Sequence, residues 1–274
     1  MHALNSDNPI LMGCGRCTGC RIDKAQDWAI RCKHEASLYE QNSFITLTYS
    51  DEHLPDDYSV SKRVFQLFMK KVRHRFDDRL VRYYACGEYG DEKFRPHYHA
   101  LLFNVDFDDK KHWKTINGER LYISETLSEL WPYGQATTGD VTYQSAGYCT
   151  RYVMKKMVGD KADEHYWRIN PLTQQFVRQT TEFQLCSRRP GIGSGWFEKF
   201  KSDVFPSDFV VVDGMKKPVP QYYIRKLQEE ELKQHKQRRR KRPREHIDEA
   251  KRRRSAHQVI RDQKLNQLKR TLED

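Results

Sequence analysis

Two stretches of this 274-residue chain carry side chains whose type and spacing could do chemistry. The first is Arg95-Pro96-His97-Tyr98-His99-Ala100-Leu101-Leu102-Phe103, two histidines one residue apart that run into an apolar segment. In a β-strand, side chains at i and i+2 point the same way, so both imidazoles can converge on one point while Tyr98 and Ala100 face the other side. Neutral imidazole is a common metal ligand. Glu88, on the arm before, would complete a His-His-Glu set for a hard divalent ion such as magnesium or manganese, and the same donors would accept zinc. Glu92 is a substitute third ligand that falls in the intervening loop. Two core histidines bonded to neighbouring backbone would show the same His-x-His spacing.

The second stretch is Tyr148-Cys149-Thr150-Arg151-Tyr152-Val153-Met154-Lys155. At 3.6 residues per turn, Tyr148, Tyr152 and Lys155 lie on one helical face, and Lys156 joins them if the register shifts by one. A phenol, with a pKa of about 10, needs help to attack at neutral pH, and a metal with a nearby lysine supplies it. A tyrosine-rich amphipathic helix with its hydroxyls at the surface would look alike.

Two further clusters stand apart. Cys14, Cys17, Cys20 and Cys32 could form a four-thiolate zinc site, although there is no second CxxC, and free thiols in a glycine-rich turn fit as well. Arg188-Arg189-Pro190-Gly191-Ile192-Gly193 is a basic loop with exposed N–H groups for phosphates, and Lys71, Arg73 and Arg75 could extend its track. An ordinary Gly/Pro turn is the simpler reading of that loop.

The elements that must position these residues read as follows. Ile22–Tyr39 has helical composition, and Phe44–Tyr49 is dense in β-formers. Ser59 is a candidate N-cap for a helix to Phe76. Leu80–Glu88 and the histidine segment form a hairpin, with Tyr84, Cys86 and Glu88 on one face of its first arm. Asn104–Arg120 is polar and reads as an exposed excursion. Beyond it come a short helix from Ser124 to Trp131, a strand in Gly134–Thr142 and the tyrosine helix Tyr143–Met157. Residues 160–180 read as a polar loop. Thr181–Ser187 is another strand, and Asp213-Gly214 turns a hairpin. After Gln221 two charged helices, broken near Pro243, end the sequence.

Charge is unevenly spread. Of the net +11, residues 221–274 supply +9, with 18 Lys/Arg against 9 Asp/Glu. A polyanion partner for that tail is expected, a solvated charged helix being the alternative. Seven cysteines, an odd number with no secretory signal, point to a reducing, intracellular setting. No run of about 18 apolar residues offers a membrane span.

Taken in order, Phe44-Ile45-Thr46-Leu47-Thr48-Tyr49, then His97-Tyr98-His99, then Tyr148 to Lys155 resemble the three motifs of the HUH endonucleases that initiate rolling-circle replication. The third resembles the two-tyrosine YxxxYxxK form. Cys14 to Arg21, Gly87 to Gly90 and Ser187 to Gly193 resemble the initiators of gokushovirus-type microviruses, so the likeness runs from about Cys14 to Gly195. It implies an α+β fold with a central five-stranded antiparallel sheet of the RNA-recognition-motif type, flanked by helices. The implied organisation is an N-terminal cysteine-containing segment and helix (1–40), an endonuclease domain (41–220) and a basic helical extension (221–274). It implies His97, His99 and Glu88 as ligands of Mg2+ or Mn2+, Tyr148 and Tyr152 as nucleophiles and Lys155 at the phosphate, with Arg188, Arg189 and Lys156 on DNA. Single-stranded phage-origin DNA would be the partner, with a host helicase or polymerase beside it, in the cytoplasm of a bacterial host. Tyr98 departs from the family's usual aliphatic residue between the histidines.

Three other readings compete. A histidine-triad hydrolase would need a third alternating histidine, and position 101 is Leu. A metal-independent single-stranded nucleic-acid-binding module would also carry aromatics on a sheet and a basic tail. Relaxases and transposases share the site chemistry with other motif orders or a single tyrosine.

Overall fold

The structure is a computed structural model that describes residues 13–91, 93–116, 118–151, 161–205 and 207–241, with isolated positions 252, 256, 259, 260 and 263. In chain order the elements are α1 (Thr18–Ala36), β1 (Asn42–Thr48), α2 (Lys62–Arg75), β2 (Arg82–Tyr89), β3 (Pro96–Phe103), β4 (Lys111–Ile116), β5 (Glu119–Ile123), α3 (Glu125–Leu130) and β6 (Ala136–Gly139). They continue with α4 (Tyr143–Arg151), α5 (Lys161–Tyr166), β7 (Trp167–Ile169), β8 (Phe176–Arg178), β9 (Phe183–Cys186), α6 (Ser194–Val204), β10 (Phe209–Val212), β11 (Met215–Pro218), α7 (Gln221–Arg225) and α8 (Glu229–Lys241).

The fold is α+β around an antiparallel sheet of seven strands, not five, in the order β4-β5-β6-β1-β3-β2-β9. The five strands readable from the sequence are the contiguous set β6-β1-β3-β2-β9. The other two come from the segment read as an exposed excursion, which pairs as the β4/β5 hairpin and joins the β6 edge. Likewise the polar stretch 160–180 holds α5 and the small β7/β8 hairpin.

Alternation along the central strands divides the molecule into two layers. On one face Ile45, Leu47, Ala85, Tyr98, Ala100 and Leu102 pack with Phe65, Phe68, Met69 and Val72 of α2 and Leu127 and Leu130 of α3. On the other, Phe44, Tyr84, Cys86, Leu101 and Phe103 pack with Ala29, Cys32 and Ala36 of α1 and Ala146, Tyr148 and Cys149 of α4. Tyr98 has a specific use in the first layer. Fully buried, its hydroxyl accepts the Ser61 N–H at 2.8 Å and lies 3.0 Å from the Tyr49 hydroxyl. Ser61, rather than Ser59, is the N-cap of α2. Ser59 instead accepts the Thr180 N–H at 2.9 Å.

A third cluster joins Ile30 of α1 to Phe197 and Val204 of α6, Val210 and Val212 of β10 and Tyr223 of α7. The β10/β11 turn at Asp213-Gly214 has positive φ at both residues (48° and 74°), as a two-residue hairpin of type I′ requires. The basic helix α8 is tied down by acids, with Lys201–Glu231 and Arg239–Asp208 contacts both at 3.0 Å. Among the described residues no helix is long and apolar enough to cross a membrane.

Candidate metal centre and tyrosine helix

Glu88 stands opposite His97 across the β2/β3 ladder, and His99 lies two residues further along the same face. The Glu88 Oε1 atom is 2.7 Å from His97 Nε2 and 3.2 Å from His99 Nε2. Ligand atoms of all three residues lie within 4.8 Å of one another, and all three side chains are buried.

Both rings are fixed from behind. His97 Nδ1–H donates to the Arg95 carbonyl at 3.1 Å, and His99 Nδ1 pairs with Thr46 Oγ1 at 2.9 Å. Thr46 faces His99 because β1 and β3 pair in that register. Each imidazole therefore offers Nε2 to the shared point while its other nitrogen is held, the usual support of a metal-binding histidine. A carboxylate oxygen that close to two ring nitrogens requires a positive centre between them, either a proton on the imidazole or a metal ion. Burial alone would raise the Glu88 carboxyl, but the charge of His97 and the hydrogen bonds from both imidazoles outweigh it and hold the group below its ordinary range. Two nitrogens and a carboxylate, oriented and dry, fit a divalent cation by the chemistry of the donor set.

Helix α4 lays Tyr148 over this cluster. Its ring meets His99 edge-on at 5.0 Å and Phe44 at 6.2 Å between centroids, and the side chain is buried. The start of α4 is closed by a reciprocal cap, in which the Ser145 N–H donates to Thr142 Oγ1 at 3.0 Å and the Thr142 N–H to Ser145 Oγ at 2.8 Å. Cys149, the next residue after Tyr148, fixes the helix to the strands below. Its thiol contacts Cys86 Sγ at 3.8 Å and donates to the His99 carbonyl at 3.7 Å. Tyr152, Lys155 and Lys156 lie outside the described residues, as does Glu92.

Other basic candidates are placed elsewhere. Arg188 and Arg189 are exposed on the loop between β9 and α6. That loop leaves the sheet at the level of Tyr83, whose carbonyl accepts the Ser187 N–H at 3.0 Å. Arg188, one residue beyond, is about six strand residues from the level of Glu88, roughly 20 Å along β2, so the loop is not beside the histidines. Helix α2 packs on the opposite face of the sheet. Arg73 stacks on Tyr83 and Lys71 on Tyr133 there, so these residues and Arg75 do not extend a track past the imidazoles.

The four-cysteine reading also needs correction. Cys14, Cys17 and Cys20 converge, but Cys32 is buried in the layer between α1 and the sheet. Cys20 and Cys32 share helix α1, and about twelve residues at 1.5 Å each separate them by about 18 Å.

Two supporting features escape a reading of single motifs. Thr46 orients His99, and its signal is the alternation of β1, which puts Thr46 on the face of Phe44 and Thr48. The second is a buried network under the basic loop, where Glu35 accepts from Arg82 Nε at 2.5 Å and from the Gly193 N–H at 2.6 Å.

An antiparallel sheet that presents two imidazoles and a carboxylate beneath a tyrosine-bearing helix defines a candidate metal–phenol centre. Comparison with known proteins gives this arrangement a family. The family described as replication-associated protein ORF2/gene 2 protein matches residues 42–157, which span β1 to the region of the tyrosine motif. The replication-associated protein VP4 of Bdellovibrio phage phiMH2K is 37% identical over 220 residues, covering 77% of this chain and 65% of that protein. The replication-associated protein ORF2 of Spiroplasma virus 4 is 34% identical over 234 residues, covering 79% of this chain and 68% of that protein. The replication-associated protein ORF4 of Chlamydia phage 1 is 26% identical over 238 residues, covering 80% and 54%. The chain thus spans less than two thirds of the first relative's length and about half of the third's. No solved structure matches. The chain belongs to the family of replication-associated proteins found in these microvirus-type phages.

Proposed function

We propose that the chain is a rolling-circle replication initiator of the HUH type, which nicks single-stranded DNA at a phage origin and rejoins it. The observation that carries this reading is the convergence of His97, His99 and Glu88 on the face that Tyr148 covers. On this reading the contiguous set β6-β1-β3-β2-β9 is the five-stranded sheet of that fold, and β4/β5 is an addition at its edge.

Glu88, His97 and His99 would hold magnesium or manganese. The bound ion supplies electrophilic assistance, offsetting negative charge on a nonbridging phosphate oxygen. The chain's own residues do the rest. Thr46 and the Arg95 carbonyl keep the imidazoles aimed. Tyr148 attacks phosphorus, so that a phenol oxygen–phosphorus bond forms, the bond to the 3′ oxygen breaks, and a 3′-hydroxyl leaves. The 5′-phosphotyrosine so formed keeps the bond energy, and a later 3′-hydroxyl reverses the step. Tyr152 is the second nucleophile, able to cut the regenerated origin while Tyr148 still holds DNA. Lys155 steadies charge at the phosphate. Arg188 and Arg189, some 20 Å along β2, would hold the strand several nucleotides from the scissile bond, with Lys156 as a further contact.

The test uses end-labelled single-stranded origin DNA with manganese. A protein–DNA adduct that survives denaturant, and that disappears in the Tyr148→Phe/Tyr152→Phe double variant, is expected. Absence of an adduct on any origin strand, with binding retained, would make the chain a non-catalytic single-stranded-DNA-binding protein. Alternation of the two nucleophiles fails if either single Tyr→Phe change leaves both the first nick and circle release at full rate.

A further inference from the structure

Seven cysteines divide into two kinds. Cys32, Cys86 and Cys149 are buried and Cys186 is half-buried, the ordinary habit of a residue that packs as a small hydrophobe. Cys14 and Cys17 are exposed and Cys20 is only half-buried, yet their ligand atoms lie within 4.8 Å of one another. Packing does not account for three thiols gathered at the surface.

We infer that Cys14, Cys17 and Cys20 form a three-thiolate site for a soft divalent cation, zinc above all, that clasps the N-terminus of α1. The spacing fits the ion. Two sulfurs bound at about 2.3 Å in tetrahedral geometry stand about 3.8 Å apart. Cys14 Sγ and Cys20 Sγ are 3.9 Å apart.

The local backbone is folded for this purpose. Gly15 takes a left-handed φ of 72°, which turns the chain so that the Cys17 N–H donates to Cys14 Sγ at 3.2 Å. Gly13 leaves room for the third sulfur, since a Cβ there would meet Cys20 Sγ at 3.1 Å. Cys17 is the N-cap of α1 and makes no side-chain capping bond, and the first turn carries no acid. Thiolates are thus the groups available to complement the positive end of this 19-residue helix. Hydrogen bonds from the Cys17 and Arg16 backbone pull the Cys14 thiol down to about 7, so a thiolate there is accessible at neutral pH. Cys32 takes no part, for the reason of distance given above.

The clasp would matter because α1 is the helix that shares a buried layer with α4. Ala29, Cys32 and Ala36 pack with Ala146, Tyr148 and Cys149, so the register of α1 bears on the helix that carries the proposed nucleophile.

The test counts metal in the full-length chain carrying His97→Ala and His99→Ala, which removes the histidine site from the count. One equivalent of zinc should remain after purification under reducing conditions. Cys17→Ser in that background should lose the equivalent, whereas Cys32→Ser should keep it. Should Cys17→Ser fail to fold, cobalt(II) added to the apo form of the unmutated protein gives an independent reading, since thiolate ligation produces sulfur-to-cobalt charge-transfer and intense tetrahedral d–d bands. A folded chain that holds no zinc and shows no such bands overturns the inference, as does loss of the equivalent in Cys32→Ser. A Cys14–Cys20 disulfide that persists under reductant and leaves the metal count at zero would assign the cluster to redox chemistry and overturn it equally.

Discussion

Glu35→Gln is the substitution whose consequence the structure fixes most tightly. Both carboxylate oxygens of Glu35 are used, one by Arg82 Nε at 2.5 Å and the other by the Gly193 N–H at 2.6 Å, and Arg82 Nη2 goes on to the Pro190 carbonyl at 2.8 Å. The two side chains are 2% and 5% exposed, so solvent cannot replace a lost partner. A glutamine has one acceptor oxygen, and its amide N–H2 must then face a donor, either the guanidinium or the Gly193 N–H. The arginine charge stays buried without its counter-ion. Breaking a buried pair from one side costs about 3–5 kcal/mol, which at about 2–4 °C per kcal/mol lowers Tm by roughly 6–20 °C. The assay is urea and thermal unfolding of the wild type, Glu35→Gln, Arg82→Met and the Glu35→Leu/Arg82→Met double variant. The double variant should recover much of the loss, because an apolar pair leaves no unpaired charge. Since Glu35 and Arg82 hold the loop that carries Arg188 and Arg189, Glu35→Gln should also weaken single-stranded-DNA binding at temperatures where the protein remains folded. A cost below about 1 kcal/mol, the range of an exposed pair, would refute the reasoning, and so would strictly additive single changes.

Two further outcomes are expected. Thr46→Val removes the hydroxyl that holds His99 Nδ1 and should reduce manganese affinity about 10–100-fold with the fold intact, read by manganese titration; unchanged affinity would remove Thr46 from the site. His34, buried against Trp196 with Nδ1 2.9 Å from the Tyr223 hydroxyl, is pushed down to about 3 by burial. Its folded pKa lies below the ordinary value near 6.5, so the unfolded chain binds the extra proton, and the His34 contribution, complete above pH 6.5, is lost as pH falls from there toward 3. Between about pH 6.5 and 5 the wild type should lose about 1.4 kcal/mol of stability per pH unit more than His34→Phe, and parallel profiles for the two would contradict the assignment.

Much of the candidate centre was legible because it rests on a period of two. Once β2 and β3 are seen as arms of one hairpin, alternation alone places Glu88, His97 and His99 on a common face, and the structure has that arrangement. Thr46 was less visible, since its partner lies 53 residues away and the β1/β3 register depends on a non-local pairing. The β4/β5 hairpin was hidden by composition. Most of its residues are exposed or half-buried, so they show no apolar alternation, and only the Asn117-Gly118 dipeptide in the sequence signals a turn.

Cys32 and Glu35 show two different kinds of illegibility. The exclusion of Cys32 from the cysteine cluster was contained in the helix itself, since a segment that is helical from residue 18 to residue 36 cannot bring Cys20 and Cys32 together. Ligand spacing counted along the sequence ignores the rigidity of what lies between, and that rigidity decides the geometry. Glu35 could not be read in this way. A glutamate beside a lysine-rich helical face looks like a solvated charge, and only the arrival of Arg82, 47 residues on, and Gly193, 158 residues on, makes it a buried acceptor. Its role is set by the pairing of three distant segments. A charge whose partners are non-local declares its function only when the fold is known, and the loop that it holds carries the arginines proposed for DNA.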